Sequence, residues 1–400
     1  MSGIKIRDVR VILTAPEGIN LIVVKVETTE PELYGLGCAT FAYREKSVLS
    51  VVEDYLKPLL VGRDVADIEE LWQLMHQNAY WRNDGISNNA ISGVDIALWD
   101  IKGKMAGMPV YDLLGGKSRT GVAVYRHASG KGLDEILESI HRFMDKKVRH
   151  IRIQWGGYGG EAKSLNKPEG VLEGRYYCPD QYRHNALRMF DYVRSKIGFN
   201  IELLHDTHER LSGIDAVRLA KELEPYKLFF LEDVLSPEQG EWLKQLRSQT
   251  CTPIAIGELF NNPKEWDYLI TNRLIDFIRV HISQIGGITP ARKLAIFCEQ
   301  FGVRTAWHGP GDVSPVGHSA NIHLDMTARN FGIQEWSGIS EVSEEVFPGV
   351  PELKNGYVYP NQKPGLGIDV NEELAKKYPV TTRITKWTQT RLPDGTLNTP

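Results

Sequence analysis

Between residues 121 and 336, eight short β-rich runs alternate with helical stretches. They are GVAVYRHAS (121–129), HIRIQ (150–154), IELLHDT (201–207), LFFLED (228–233), PIAIGE (253–258), DFIRV (276–280), VRTAWH (303–308) and FGIQEW (331–336). Eight strand candidates with helices between them predict a parallel α/β fold, a (β/α)8-type TIM barrel. LFFLED and PIAIGE read as near-continuous apolar runs, as expected of parallel strands buried on both faces.

The residues before this pattern follow a different rule. Positions 4–28 alternate apolar and polar and predict two antiparallel strands. Residues 46–60 and 66–80 read as amphipathic helices, and 88–106 as a helix that stops at Gly107 and Pro109. The expected organisation is an N-terminal α+β domain over 1–118, a barrel over 119–345 and a segment over 346–400 that packs back on the first domain. The stretch from Trp155 to Pro179 is rich in Gly, Lys, Glu and Tyr and lacks periodicity. A loop that long predicts a lid or a substrate loop.

Composition narrows the function classes. The chain has 400 residues, 42% of them apolar, enough for one large domain and a smaller one. Its net charge is −4, and no strongly basic stretch points to nucleic acid. Cys38, Cys178, Cys251 and Cys298 show no CxxC spacing and predict free thiols in a reducing compartment. The first residues lack the apolar core of a signal peptide, and no apolar run reaches membrane-spanning length. A cytoplasmic protein with no membrane partner is the expectation.

The chemistry is concentrated at the strand ends. Asp206, Glu232 and Glu258 end the third, fourth and fifth barrel runs, 26 residues apart each time. Equal phase on three adjacent strands predicts three carboxylates on the C-terminal rim, where barrel enzymes keep their active sites. One acid at such a place commonly caps a helix or pairs with lysine. Three converging carboxylates repel each other, and a divalent cation with oxygen ligands, Mg²⁺, relieves that repulsion. His208 lies two residues past Asp206, on the same side if the chain is extended there. His127, Arg152, Arg279, His308 and Glu335 add an ionisable group at or near the other strand ends.

These residues resemble the enolase superfamily. The likeness is carried by GVDIALWDIKGKMAGMPVYDLLGG (93–116), similar to the junction between capping domain and barrel, and by the Asp/Glu/Glu set. Within the superfamily the chain resembles the mannonate dehydratase subgroup, also described as D-galactonate dehydratase family members or starvation-sensing proteins. The segments are VYRHASG (124–130), IRIQ (151–154), LLHDTHERL (203–211), FLEDVLSPE (230–238), TPIAIGELFN (252–261), IDFIRV (275–280), HGPGDVSPV (308–316), FGIQEW (331–336) and PGLGIDVNEELAKKYP (364–379).

The resemblance implies that residues 1–118 cap the barrel and that Mg²⁺ is held by Asp206, Glu232 and Glu258 to stabilise an enediolate. It implies an acid-sugar dehydratase that converts D-mannonate or D-gluconate to 2-keto-3-deoxy-gluconate. His208 would protonate the departing 3-hydroxyl. A loop tyrosine assisted by Arg152 would remove the proton alpha to the carboxylate. His127, Glu258, Arg279, His308 and Glu335 would hold the substrate. Relatives of this kind are commonly homo-oligomers.

Three positions depart from the family pattern. The tyrosine is expected about a dozen residues past Arg152, where Ser164 stands; Tyr158 is the nearer candidate, and Tyr176 and Tyr177 lie further on. HGPGD (308–312) carries Pro310 where efficient mannonate dehydratases have HGATD. Ala42 stands where the family offers an Asn to the substrate, and an alanine makes no hydrogen bond to a polyol. Two alternatives stay open: a sugar-acid-binding or regulatory protein that kept the metal site, and a racemase or epimerase. The second is opposed by the absence of a KxK after the second strand and by Arg279 in the sixth.

Overall fold

The computed structural model describes residues 3–156 and 167–398. They fall into two compact units. The first comprises the chain up to Ala123 together with Leu259–Lys264 and Val280–Arg383. The second comprises Val124–Glu258, Glu265–Arg279 and the chain from Ile384 on.

The first unit opens with an antiparallel meander, β1 (Ile6–Thr14), β2 (Leu21–Thr28) and β3 (Tyr34–Cys38). The alternation over 4–28 marked β1 and β2. Strand β3, YGLGC, carries two glycines and no apolar–polar alternation that would predict it. Those glycines serve the contact beneath: a Cβ at Gly35 or Gly37 would collide with the backbone of Ala97 or Gly93 in the helix Gly85–Ala106. That helix starts on Asp84, whose side chain accepts from the N–H groups of Ile86 and Ser87. It stops at Gly107 in the left-handed conformation (φ 68°). Arg10 and Lys25, opposite each other in the β1–β2 register, converge on Glu372.

The second unit is a run of parallel strands. β4 (Val122–Gly130) begins in the first unit and continues here. It pairs with β5 (His150–Trp155), and the order proceeds through β6 (Glu202–Asp206), β7 (Phe230–Glu232), β8 (Ile254–Ile256) and β9 (Phe277–Ile278). Helices Leu133–Asp145, Pro179–Ile197, Gly213–Glu222 and Trp242–Gln249 lie between successive strands in sequence. The central strand residues Leu203, Leu204, Phe230, Leu231, Ile254 and Ala255 are fully buried.

The last two expected runs form β10 (Arg304–Thr305) and β11 (Gln334–Glu335) in the first unit. They are followed there by the hairpin β12 (Glu352–Lys354) and β13 (Tyr357–Tyr359). All eight runs contain a strand, most shorter than the apolar pattern. No helix among the described residues is long and apolar enough to cross a membrane. The four cysteines are free thiols.

Candidate active site

Parallel register brings the first two acids together. Asp206 is opposite Glu232 at the C-terminal ends of β6 and β7, and both side chains are fully buried. Glu258 follows β8 by two residues, its side chain 10% exposed. A carboxylate that the sequence reading missed, Asp233, joins Asp206 and Glu232: an oxygen from each of the three lies within 4.8 Å of the others. Glu258 instead turns to Arg279 Nη1 at 3.2 Å and to His208 Nε2 at 3.4 Å. In a continuing strand Asp233 would point away from Glu232. Its backbone is left-handed (φ 39°), which breaks that alternation, and no residue pattern announces it.

Two guanidinium groups hold this charge. Arg152 Nη1 lies 2.6 Å from Glu232 Oε1 and 3.1 Å from Asp206 Oδ2. Arg279, fully buried, places Nη2 2.7 Å from Glu232 Oε1 and Nη1 2.8 Å from Asp233 Oδ2. The Tyr125 hydroxyl donates to Glu232 Oε2 at 3.2 Å and accepts from Arg279 Nη2 at 3.1 Å. Glu209 is a further buried acid of this cluster. Burial, then the neighbouring carboxylates Glu258, Asp233 and Asp206, hold the Glu209 carboxyl well above the usual range. Burial lifts the Asp233 carboxyl likewise, against the opposing pull of Arg279 and with the carboxylates of Glu258, Glu232 and Asp206 adding to the rise.

The turn after β6 is not extended. His208 (φ 51°) and Glu209 (φ 59°) are both left-handed. The His208 N–H donates to Asp206 Oδ1 at 2.7 Å, and the Glu209 N–H to Asp233 O at 2.7 Å. His208 therefore comes near Glu258 by a tight turn rather than by the strand alternation expected from the sequence. Conformations of this kind in non-glycine residues persist where surrounding bonds over-determine them. Beneath the turn, buried His205 receives the Tyr182 hydroxyl on Nε2 (2.7 Å) and donates from Nδ1 to Ile153 O (2.9 Å). Burial lowers its pKa to about 4, so it stays neutral.

His127, half-buried in β4, accepts from Arg152 Nη2 on Nδ1 at 3.4 Å, so its neutral ring carries the proton on Nε2. Tyr158 and Ser164 lie outside the described residues. The Tyr176 hydroxyl donates to Leu172 O at 2.5 Å. Tyr177 is 1% exposed, and burial pushes its hydroxyl well above the usual range, the opposite of what a base requires.

In the first unit, His308 is half-buried, and one of its ring nitrogens lies within 4.8 Å of ligand atoms of His281 and Asp312. Buried Glu335 accepts the Gly309 N–H at 2.9 Å, and Asn321 Nδ2 donates to His308 O at 3.2 Å. Pro310 O accepts the Val313 N–H at 3.1 Å in the turn after His308. Ala42 is half-buried in a turn. Neither His281 nor Asp312 was singled out in the sequence. Asp312 falls four residues past His308, a spacing that could have flagged it.

Two family models match the chain: "Mandelate racemase / muconate lactonizing enzyme, N-terminal domain" over residues 3–115 and "Enolase C-terminal domain-like" over 135–374. A D-galactonate dehydratase family member from Enterocloster bolteae is 55% identical over the whole of both chains. The chain belongs to the D-galactonate dehydratase family of the enolase superfamily. The family is one of hydro-lyases, and its fold is the (β/α)8-type TIM barrel with an N-terminal α+β capping domain. A crystal structure of an enolase from Pantoea ananatis, with bound D-gluconate and Mg, is 52% identical with a TM-score of 0.98, covering all of both chains. An enolase superfamily member from Salmonella Typhimurium, 24% identical, shares the fold at a TM-score of 0.84, covering 94% of this chain and 98% of its own.

Proposed function

We propose that this family member is a Mg²⁺-dependent acid-sugar dehydratase that acts on D-gluconate, D-mannonate or both and releases a 2-keto-3-deoxy sugar acid. The observation that carries the reading is the cluster of oxygen ligands at the strand ends. Asp206, Glu232, Asp233, Glu258 and Glu209 face the two guanidinium groups of Arg152 and Arg279. An oxygen-only donor set of this kind fits a hard divalent cation. Asp206, Glu232 and Glu258 are the proposed ligands. When bound, Mg²⁺ would add positive charge beside the substrate carboxylate and lower the cost of removing the adjacent proton.

The roles of the chain's own groups follow from their contacts. Arg152 and Arg279, oriented by the carboxylates, offer fixed positive charge to an anionic substrate. His127 offers Nε2–H to a hydroxyl. His208, its Nε2 beside Glu258, is the proposed donor of a proton to the departing 3-hydroxyl. Tyr158 is the proposed base, supported by resemblance alone; the buried hydroxyl of Tyr177 and the donated one of Tyr176 make those two poorer candidates. His308 and Glu335 are proposed substrate ligands on the same ground. Arg279 cannot replace the lysine base of a racemase, because a guanidinium between carboxylates does not release its proton. A homo-oligomeric state is part of the proposal.

The test is a panel of aldonic and aldaric acids incubated with the protein and Mg²⁺, with 2-keto acid detected as its semicarbazone and Glu232→Gln as control. Keto product with D-gluconate or D-mannonate, absent in the control, supports the reading and identifies the substrate. No product across the panel, with Mg²⁺ and sugar-acid binding demonstrated by calorimetry, would replace it with a binding role.

A further inference from the structure

We propose that Trp387 is a positioning residue for His208, and that the segment from Ile384 to Asn398 belongs to the active-site machinery. The chain crosses from the first unit to the second at Ile384. The family model match ends at residue 374, so this segment lies outside it. It is nonetheless firmly attached. Arg391 forms a parallel bridge with Tyr176, donating its N–H to Arg175 O at 2.9 Å and accepting the Tyr177 N–H at 2.8 Å. The segment then folds on itself: the Leu392 N–H donates to Thr396 O, the Asn398 N–H to Thr390 O, and Arg391 Nη1 to Gly395 O.

The attachment leads to the site. Tyr177 packs its ring 5.6 Å from Tyr182, and Tyr182 holds His205, the neighbour of Asp206. In the turn before Arg391, Lys386, Thr388 and Gln389 are exposed, while Trp387 between them is half-buried. Its ring centroid lies 5.5 Å from that of His208, the two planes 72° apart. The Thr390 hydroxyl donates to Trp387 O at 2.7 Å and fixes the turn that presents the indole.

His208 sits on a left-handed backbone in the turn after β6, and the rotamers open to a side chain depend on its backbone conformation. An aromatic wall that limits the imidazole's freedom keeps its Nε2 beside Glu258 and covers one side of it from water. Proton delivery depends on such placement, and a displacement of about 1 Å in a reacting group costs on the order of a hundredfold in rate.

The inference rests on the reading of His208 as proton donor. With Mg²⁺ and whichever panel acid the wild type dehydrates, Trp387→Ala is expected to lower kcat by about 10- to 100-fold with little change in KM, and Trp387→Phe to recover most of the loss. An unchanged kcat in Trp387→Ala, or a loss carried by KM alone, overturns the proposal. A second readout needs no turnover. In protein labelled with 5-fluorotryptophan, the fluorine line missing from Trp387→Phe identifies Trp387, and His208→Ala should shift it. A line that stays in place overturns the contact. A wild type that binds Mg²⁺ and sugar acid but turns over no acid of the panel refutes the dehydratase reading, and the fluorine line then decides by itself whether Trp387 seats His208.

Discussion

Asp206 and Glu232 are register partners on adjacent parallel strands, and their carboxylates share a single guanidinium nitrogen, Nη1 of Arg152, at 3.1 and 2.6 Å. The pairing places two buried negative charges side by side with Asp233 close to both. Buried carboxylates this close together depend on the cations among them.

Mg²⁺ is expected to raise the melting temperature of the wild type, and a chelator to lower it. At a hundredfold excess over Kd the bound ion stabilises the native state by about 2.7 kcal/mol. Glu232→Gln removes a proposed ligand and should abolish the Mg²⁺-dependent shift. A shift of equal size in both proteins would show that the ion binds elsewhere.

Arg279→Met is expected to be strongly destabilising. It leaves Asp233, Glu232 and Glu258 without the guanidinium that contacts all three. Removing one partner from a buried ion cluster costs about 3–5 kcal/mol. Urea denaturation measures it, and a change below about 1 kcal/mol would mean that the carboxyls take up protons at little cost.

Glu372 should make a pH-dependent contribution. Arg10 closes both terminal nitrogens on its carboxylate at 2.7 and 2.6 Å, and Lys25 adds a contact at 2.8 Å. The Arg10 hydrogen bond, assisted by Lys25, holds the Glu372 carboxyl down to about 2. A depressed carboxyl stabilises the fold above its unfolded pKa near 4.5, and the gain is lost as pH falls through 2. The site is partly exposed, so Glu372→Gln should cost only about 1 kcal/mol at about pH 6. The gap to wild type should shrink below pH 4.5; a gap that widens there would contradict the assignment.

Asp95 should show the opposite sign. It is fully buried in the helix Gly85–Ala106, where it accepts the Thr289 N–H at 2.9 Å and the Thr289 hydroxyl at 2.5 Å. Burial outweighs these bonds and pushes its carboxyl up to about 7. A carboxyl raised in the native state favours folding when protonated, so its contribution declines as pH rises from about 4 to 7, by at most about 4 kcal/mol. Asp95→Asn keeps the shape without the charge. Its melting temperature relative to wild type should climb across that interval, and a constant difference would show that Asp95 does not titrate there.

The sequence by itself determined the β/α order and the strand ends. Apolar runs of the right length must be buried, and equal spacing of Asp206, Glu232 and Glu258 marks one end of successive parallel strands. Helix Gly85–Ala106 was legible from its periodicity and its glycine stop. What lay beyond reach was geometry made by single backbone conformations and by contacts between distant segments. Strand β3 is set by glycines that let a helix approach, not by an alternating pattern. Asp233 joins Asp206 and Glu232, and His208 turns toward Glu258, because left-handed residues break the strand alternation. Trp387 reaches His208 from nearly 180 positions away through the bridge between Arg391 and Tyr176. Residue type and spacing report what must be buried and in what order; which charged groups then meet depends on backbone turns and long-range docking, and only the tertiary structure decided those.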